Sequence, residues 1–306
     1  MGEFCGEVML MWKGIDVSDN QGTINWAQIP EDVDFAVLRS VRRSGKADHQ
    51  FATNLEGCRK HNIPVSVYKY TYAATQDAAR QEAQQVVALL QSRGLTGTMV
   101  WWDVEDKDVL RPLGAAKLTE CIRAAQEVIT AAGYGFGLYV GLYVYKERWF
   151  DFNAFAGTRL WIARYYRGYR TMRFDDEPDQ KYKPDVDGDI SGWQYTSCGE
   201  IPGIKGDVDL DVAYEDPAAW TQPTGESRVI LCVSIADTYD KAVAENISAA
   251  YPGCKVHRVQ ALDAGGIEMW VASVADVWTR EQAEILRQQF EAMGINGIIH
   301  EVRIVE

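Results

Sequence analysis

The sequence predicts an α/β fold, an irregular (β/α)5(β)3 barrel resembling a TIM barrel, followed by a small α+β domain. Short apolar runs alternate with longer amphipathic stretches, which is typical of a parallel sheet covered by helices on both faces. Enough of these runs precede residue 220 for eight strands to close into a barrel. The polar segment Thr221–Ser227 then breaks the pattern and predicts a linker before a second domain.

The first part of the chain predicts five strand–helix units, with a turn-rich segment directly after the first strand. The strand candidates are Gly14–Val17, Phe35–Arg39, Pro64–Tyr70, Thr98–Asp103 and Phe136–Val140. The helix that opens at Thr75 is the clearest, because Ala79, Ala83 and Val86 recur at helical spacing before Gly94. The other helix candidates are Gln50–His61, a stretch with Leu118, Ile122, Ala125 and Ile129 on one face that ends at Gly133, and the short segment Tyr143–Phe155.

Three further strands follow with little helix between them, which makes the predicted barrel irregular. They are Leu160–Ala163, Gly192–Tyr195 and Asp207–Leu210. Beyond the linker, the order strand, helix, strand, strand, helix, strand predicts a two-layer, ferredoxin-like unit. Its candidate elements are Arg228–Ser234, Tyr239–Ala250, Lys255–Gln260, Glu268–Ser273, Thr279–Met293 and Ile298–Ile304. The predicted domains are therefore 12–220 and 228–306, joined by the linker 221–227.

Composition excludes several classes of function. The net charge of −13 makes the chain a poor general binder of nucleic acid or of an anionic membrane surface. No apolar stretch is long enough to span a bilayer, and Met1–Trp12 does not resemble a secretory signal. The six cysteines form no CxxC pair and the four histidines are scattered, so we expect no metal site and no cofactor.

The most informative site candidates are Asp103 and Glu105, at the C-terminal end of the fourth strand. Alternation along a strand places both carboxylates on one face, and catalytic groups of parallel barrels gather at this end of the strands. Glycoside hydrolysis needs a carboxylic acid for the leaving oxygen and a second group that stabilises positive charge at the anomeric carbon. The alternative is a solvated start of a loop, because Asp106 and Asp108 follow.

Further polar and aromatic groups lie in or at the ends of other predicted strands. Strands one and eight are neighbours in a closed barrel, so Asp16 and Asp209 are expected to approach each other. Each residue alone fits a capping or packing role, whereas together they form a ring of acids and aromatics. The other members of this ring are Arg39, Tyr68, Tyr70 and Gln194.

Several motifs resemble those of the glycoside hydrolase family 25 lysozymes, the Chalaropsis type. Gly14–Gly22 resembles the family's opening motif, and Asp103-Val104-Glu105 matches its D-x-E. Leu160–Tyr165 resembles the sixth-strand segment, while Trp193–Thr196 and Val208–Asp211 resemble the closing motifs. The resemblance covers roughly Trp12 to Trp220, with the motifs in the family's order.

This resemblance implies an N-acetylmuramidase that hydrolyses the β-1,4 bond between N-acetylmuramic acid and N-acetylglucosamine in peptidoglycan. It assigns Glu105 as general acid and base and Asp103 as the group that orients the substrate's acetamido group, with Asp16 and Asp209 shaping the site. Direct attack by a carboxylate remains an alternative. The expected substrate-binding residues are Arg39, Tyr68, Tyr70, Tyr139, Trp161, Tyr165 and Gln194. Asp211 departs from the family, which often has Asn at that position.

Two other functions stay open for the barrel: a non-catalytic wall-binding protein, and a glycosidase for another N-acetylglucosamine polymer such as chitin. Residues 228–306 more weakly resemble the sporulation-related repeat domain that binds peptidoglycan. Wall binding, dimerisation and a purely structural role are all compatible with this region. We expect action on the bacterial cell wall, either outside the cell or after release by a phage.

Overall fold

The structure is a computed structural model. It describes residues 11–217, 220, 229–238, 240–249, 255–261, 267–277, 284, 287–288, 291 and 298–304. The predicted linker 221–227 lies outside the described residues, as does most of Met1–Trp12. The chain divides into two compact units, Met1–Gln222 and Pro223–Glu306. Among the helices of the described residues, none has both the length and the apolar character needed to cross a membrane.

The first unit contains nine strands and four α-helices among its described residues. The strands are β1 Trp12–Val17, β2 Phe35–Arg39, β3 Val65–Tyr70, β4 Met99–Asp103, β5 Gly135–Gly141, β6 Arg159–Ala163, β7 Met172–Arg173, β8 Gly192–Glu200 and β9 Val208–Ala213. The helices are α1 Phe51–Lys60, α2 Gln76–Ser92, α3 Ala115–Ala131 and α4 Leu142–Lys146. The helix predicted for Tyr143–Phe155 is shorter: it ends near Arg148, which has a φ of +52°, and only a 3-10 turn, Phe152–Phe155, follows.

Eight of these strands close into a barrel, which confirms the predicted mixed α/β barrel fold. Strands β1 to β6 pair in sequence and in parallel, and β6 pairs in parallel with β8. The short β7 pairs only with β8 and lies outside the ring. The expectation of an entirely parallel sheet is wrong for the last strand, because β9 runs antiparallel to both β8 and β1. A short connection from β8 to β9 permits this reversal, whereas a parallel pair needs a long crossover.

Helices cover the outer face of the barrel, and their boundaries follow local signals in the sequence. The Thr75 hydroxyl accepts a hydrogen bond from the Ala78 amide at 3.2 Å and caps the start of α2, with Asp77 in its first turn. Ala79, Ala83 and the other periodic residues of α2 are fully buried, so the predicted apolar face packs inwards. The outer core between sheet and helices therefore arises from the amphipathic pattern.

A second, separate core fills the inside of the barrel with aromatic side chains. Its buried members are Phe35, Val37, Met99, Trp101, Tyr139, Trp161, Ala213 and Trp220. The rings meet edge to face, with centroid distances of 5.0 Å for Phe35–Trp220 and 5.1 Å for Trp101–Trp220. Gly137 makes room for this packing, because a Cβ there would lie 2.5 Å from the Trp101 ring. We call this set of side chains the aromatic floor.

The second unit contains four described strands and one helix: β10 Val229–Thr238, α5 Lys241–Ala249, β11 Lys255–Ala261, β12 Ile267–Val277 and β13 Ile298–Ile304. The strands pair antiparallel and close in the order β10, β12, β11, β13. The helix predicted for Thr279–Met293 lies mostly outside the described residues, although Glu284, Arg287, Gln288 and Glu291 within it are helical. The two-layer, ferredoxin-like arrangement stays a prediction.

Candidate active site

Four carboxyl groups gather at one rim of the barrel. Asp103 is the last residue of β4, and in register it faces Tyr70 of β3 and Tyr139 of β5. Asp16, near the end of β1, is the direct register partner of Asp209 on β9. Because β9 runs in the opposite direction, its beginning lies at the same rim as the ends of the parallel strands. Glu105 follows β4 by two residues and faces the same cavity.

A cavity of about 540 Å³ opens at this rim. Its lining consists of Asp16, Asn20, Arg39, Val41, Arg42, Arg43, Tyr68, Tyr70, Tyr72, Asp103, Glu105, Tyr139, Trp161, Tyr165, Gln194 and Asp209. All eleven residues that the sequence singled out as catalytic or substrate-binding are among them. The structure therefore brings the candidates together, and their individual roles stay predictions.

Gln194 connects the aromatic and acidic sides of the cavity. Its side-chain oxygen accepts hydrogen bonds from the hydroxyls of Tyr139 at 2.8 Å and Tyr165 at 2.5 Å. Its amide nitrogen donates to Oδ2 of Asp16. Three partners thus fix the orientation of the Gln194 amide, and the amide in turn holds Asp16 in the site.

One carboxyl oxygen of Asp103 accepts no hydrogen bond from the described residues. The side chain is only 3% exposed, and its Oδ1 atom is buried without a hydrogen-bond partner among the described residues. The surrounding backbone is well anchored: the Asp103 carbonyl accepts from the Thr71 amide at 3.0 Å, and the Val104 amide donates to the Tyr139 carbonyl at 3.0 Å. A buried acceptor without a partner is costly, so this oxygen is well suited to a donor that arrives with a ligand.

The environment raises the pKa of every carboxyl group in this cluster. Burial raises the pKa of Glu105 to about 7, with repulsion from Asp209 as the next cause. Burial raises the pKa of Asp209 to about 6, although a hydrogen bond to Asp16 opposes the shift. Burial also raises the pKa values of Asp103 and Asp16, and the nearby Lys69 partly opposes this for Asp103. The cluster therefore retains protons at a pH where isolated carboxyls are ionised.

Asp211 lies deeper in the barrel than this cluster. It follows Asp209 by two residues, so both side chains project to the interior face of β9, and its register partners are Gly14 and Gln194. The side chain is fully buried, and neither carboxyl oxygen has a hydrogen-bond partner of ordinary geometry among the described residues. The Trp161 side chain approaches it as a donor and partly opposes the rise in its pKa. Burial, and then repulsion from Asp209, raises its pKa well above the usual range. Asp211, which stands where the family often has Asn, therefore faces the barrel interior without lining the cavity.

Arg39 lines the cavity with its charge already compensated. Its Nε donates to Oδ2 of the buried Asp48 at 2.7 Å, and its terminal nitrogen pairs with both Asp48 and Asp19. His49 Nδ1 lies 2.8 Å from the second oxygen of Asp19. This network fixes the loops that follow β1 and β2, so the surroundings of Arg39 favour a positioning role in addition to the predicted substrate contact.

Sequence reasoning missed five lining residues: Asn20, Val41, Arg42, Arg43 and Tyr72. Tyr72 follows Tyr70 by two residues, so continued alternation beyond β3 could have indicated it. Arg42 and Arg43 lie on a turn beyond β2, where no periodic pattern reports orientation. The described residues contain no group of three or more His, Cys, Asp or Glu placed to hold a metal ion.

Comparison with known proteins adds independent information on the first unit. The family described as glycosyl hydrolases family 25 matches residues 15–204. An autolytic lysozyme of Clostridium acetobutylicum is 21% identical over 201 residues, which are 65% of this chain and 55% of that protein. This chain thus spans about half the length of that curated relative.

Solved structures of similar proteins agree with this match. The modular autolysin LytC of Streptococcus pneumoniae is 27% identical with a TM-score of 0.54, over 66% of this chain and 46% of that one. The catalytic domain of endolysin ply40 from bacteriophage P40 of Listeria monocytogenes is 26% identical with a TM-score of 0.55, over 70% of this chain and 98% of that one.

Proposed function

Since this chain belongs to glycosyl hydrolase family 25, we propose that it is a lysozyme that hydrolyses the β-1,4 bond between N-acetylmuramic acid and N-acetylglucosamine in peptidoglycan. The relatives point to the same substrate. One is an autolytic lysozyme, another is the catalytic domain of a phage endolysin, and the pneumococcal autolysin has also been solved with a synthetic peptidoglycan ligand. The proposed place of action is therefore the bacterial cell wall.

The observation that carries this proposal is the position of Glu105 in a cavity lined by further carboxyl groups, where burial raises its pKa to about 7. A general acid must hold its proton at the working pH and release it to the leaving oxygen in the transition state. Glu105 meets this requirement up to about pH 7, whereas a solvated glutamate loses its proton above about pH 4. After bond cleavage the resulting carboxylate takes a proton from the attacking water, which restores the acid.

Asp103 is proposed to orient the acetamido group of the bound sugar. Its unpartnered Oδ1 offers an acceptor for the acetamido N–H. A held acetamido group can direct its carbonyl oxygen to the anomeric carbon as the leaving oxygen departs, and water then opens the resulting ring. Direct attack by a carboxylate is the alternative, and trapping of a covalent sugar–enzyme ester would support it.

The aromatic side chains of the cavity are proposed to bind the sugar rings. Tyr139 and Trp161 pack edge to face with a centroid distance of 4.8 Å, and Tyr165 shares the Gln194 acceptor with Tyr139. Apolar ring faces suit the C–H surfaces of sugars, while the fixed hydroxyls and the Gln194 amide suit their polar substituents. Asp16, which is bonded to the same Gln194, and its neighbour Asp209 are proposed to shape the site.

The test is release of reducing ends from purified peptidoglycan by the wild type, Glu105→Gln and the control Glu56→Gln. Glu56 is exposed on α1, outside the residues that line the cavity. We expect Glu105→Gln to lose about a hundredfold to ten-thousandfold in kcat, as is usual when a general acid is removed, and Glu56→Gln to match the wild type.

Each other result has a distinct meaning. Equal activity of Glu105→Gln and the wild type would remove Glu105 from its role. An inactive wild type that still binds peptidoglycan would favour the non-catalytic wall-binding protein. New reducing ends on N-acetylglucosamine instead of muramic acid would overturn the assigned bond, and activity on chitin alone would overturn the substrate.

For the second unit we propose wall binding, with dimerisation as the alternative. The described residues show a compact antiparallel strand arrangement, and Lys241 Nζ lies 5.1 Å from the centroid of the Trp270 ring, which makes Trp270 an aromatic residue to test as a wall contact. Full-length protein carrying Glu105→Gln, with and without Trp270→Ala, can be sedimented with insoluble peptidoglycan. Loss of sedimentation would support wall binding, and a concentration-dependent dimer in ultracentrifugation would support the alternative.

A further inference from the structure

We propose that Arg42 and Arg43 form an anion subsite at the edge of the catalytic cavity. Its ligand is a carboxylate of the peptide attached to the lactyl group of muramic acid, because the lactyl carboxyl itself is an uncharged amide where the peptide is attached. This inference rests on the proposed function and deepens it, because it names the part of the substrate that distinguishes muramic acid from N-acetylglucosamine.

The two arginines belong to a turn with a defined conformation. Both line the same cavity as the carboxyl cluster. The Arg42 amide donates to the Lys46 carbonyl at 2.9 Å, and the Gly45 amide donates back to the Arg42 carbonyl at 2.9 Å. Gly45 has a φ of +78°, and a Cβ there would lie 2.7 Å from the Gln85 side chain on α2. The turn is thus packed against the barrel's outer layer and presents both arginines from a fixed backbone.

The guanidinium charges of both residues are uncompensated within the described part of the chain. Arg42 Nε donates to the Ala47 carbonyl at 3.0 Å, and the Arg43 guanidinium lies 4.3 Å from the centroid of the Tyr72 ring. No carboxylate among the described residues is within ion-pair distance of either, in contrast to Arg39, which has two. Both arginines also line the cavity, so their charges face the space that a substrate would occupy. Arginine binds carboxylates with two parallel hydrogen bonds, which makes a carboxylate the best-matched ligand.

Tyrosine rings connect this subsite to the catalytic groups. The Arg43 guanidinium covers Tyr72, whose ring centroid lies 4.8 Å from that of Tyr70. The Tyr70 hydroxyl donates to Asp106 Oδ2 at 3.4 Å, beside Glu105 in sequence. One continuous wall therefore runs from the acid to the arginines. A glycan whose scissile bond lies at Glu105 would present its substituents along this wall.

The position of Arg42 and Arg43 also gives the site a way to distinguish peptidoglycan from chitin. The peptides of peptidoglycan carry carboxylates, whereas chitin carries none. A cationic patch at the cavity edge therefore attracts peptidoglycan and gives chitin no corresponding gain. The subsite thereby favours muramic acid polymers without any contact to the reacting bond.

The test compares the wild type, Arg42→Gln/Arg43→Gln and the control Arg123→Gln, which removes an exposed charge on α3 away from the cavity. Each is assayed on native peptidoglycan and on peptidoglycan whose carboxylates have been capped as methyl amides. On native substrate we expect the double variant to raise KM about fivefold to tenfold, since each exposed charge pair contributes up to about fivefold, with kcat unchanged. On capped substrate the wild type should show the same raised KM, and the double variant should lose nothing further.

Two further measurements keep the result interpretable. Arg42→Lys/Arg43→Lys preserves the charge and should recover part of the lost affinity, and equal thermal midpoints exclude unfolding as the cause. An amidase that strips the peptides removes their carboxylates and frees the lactyl carboxylate, which is an amide in native peptidoglycan. We expect the KM difference to disappear on this substrate, and a difference that persists would overturn the assignment to the peptide.

The proposal is overturned if the double variant and Arg123→Gln have equal KM on native substrate, or if the defect of the double variant persists on the capped substrate. Failure of the proposed function is a different outcome, because the wild type would then release no reducing ends from either substrate, and the subsite would fall with it.

Discussion

Replacing Asp211 by Asn should make the first unit more stable at neutral pH and leave it unchanged in acid. Asp211 is fully buried, and its carboxyl group has only the Trp161 side chain as an approaching donor among the described residues, with no hydrogen bond of ordinary geometry. Burial raises its pKa well above the model-compound value of 3.8. A carboxyl with a raised pKa in the folded state binds its proton more tightly there than in the unfolded chain. Its favourable contribution is therefore fully present below about pH 4 and is lost as the pH rises towards the folded-state pKa.

The magnitude follows from proton linkage. One proton taken up on folding changes the free energy of unfolding by about 1.4 kcal/mol per pH unit, in the direction of lower stability at higher pH. Asparagine has the shape of the protonated acid and no ionisable group, so Asp211→Asn lacks this slope. The variant should equal the wild type near pH 4 and gain about 1.4 kcal/mol per pH unit above it, until the folded-state pKa of Asp211 is reached. Release of repulsion on Asp16, which Asp211 also affects, acts in the same direction.

The assay is urea unfolding at a series of pH values, monitored by tryptophan fluorescence. Trp101, Trp161 and Trp220 of the aromatic floor report on the first unit. Asp175→Asn, at an exposed position, is the matched control and should follow the wild type at every pH. If the curves of Asp211→Asn and the wild type ran parallel, or if the variant were less stable at neutral pH, Asp211 would not be a buried acid held in its neutral form.

Three further predictions concern activity and packing. Activity should fall as the pH rises above about 7, because Glu105 then loses the proton that it must donate. A rate that stays constant well above that pH would contradict the role of Glu105 as general acid. Gln194→Leu removes the acceptor shared by Tyr139 and Tyr165 and the donor to Asp16. In urea titrations it should lower the free energy of unfolding by about 1–3 kcal/mol, with a loss of kcat. A variant as stable as the wild type would show that these contacts contribute nothing to stability. Gly137→Ala places a Cβ 2.5 Å from the Trp101 ring. It should lower the free energy of unfolding by about 1–3 kcal/mol, which is measured as a lower thermal midpoint. An unchanged midpoint would mean that the ring can move aside.

The sequence predicted most of the barrel because apolar runs and helical periodicity are local signals. Phe35–Arg39 has the predicted bounds, and the acids meet because the strands on which they lie end at one rim. The direction of β9 could not be predicted, since an alternating or apolar run reads the same in either direction. The sequence also could not predict which groups a given side chain contacts. The pairing of Arg39 with Asp19 and Asp48 depends on the fold of the loops after β1 and β2. The burial of Asp211 depends on closure of the barrel, which places β9 between β8 and β1.

The aromatic floor links the packing of this barrel to its chemistry. Trp101, Trp161 and Trp220 fill the interior and exclude water from the space below the carboxyl cluster. Water exclusion is the physical reason that burial is the largest cause of the raised pKa of Glu105 and its neighbours. Trp161 belongs to both the floor and the cavity lining, so the same ring packs the core and borders the site. A floor that admitted water would lower the pKa of Glu105, so loosening the core should shift the alkaline limit of activity towards lower pH even where no residue near the substrate has changed.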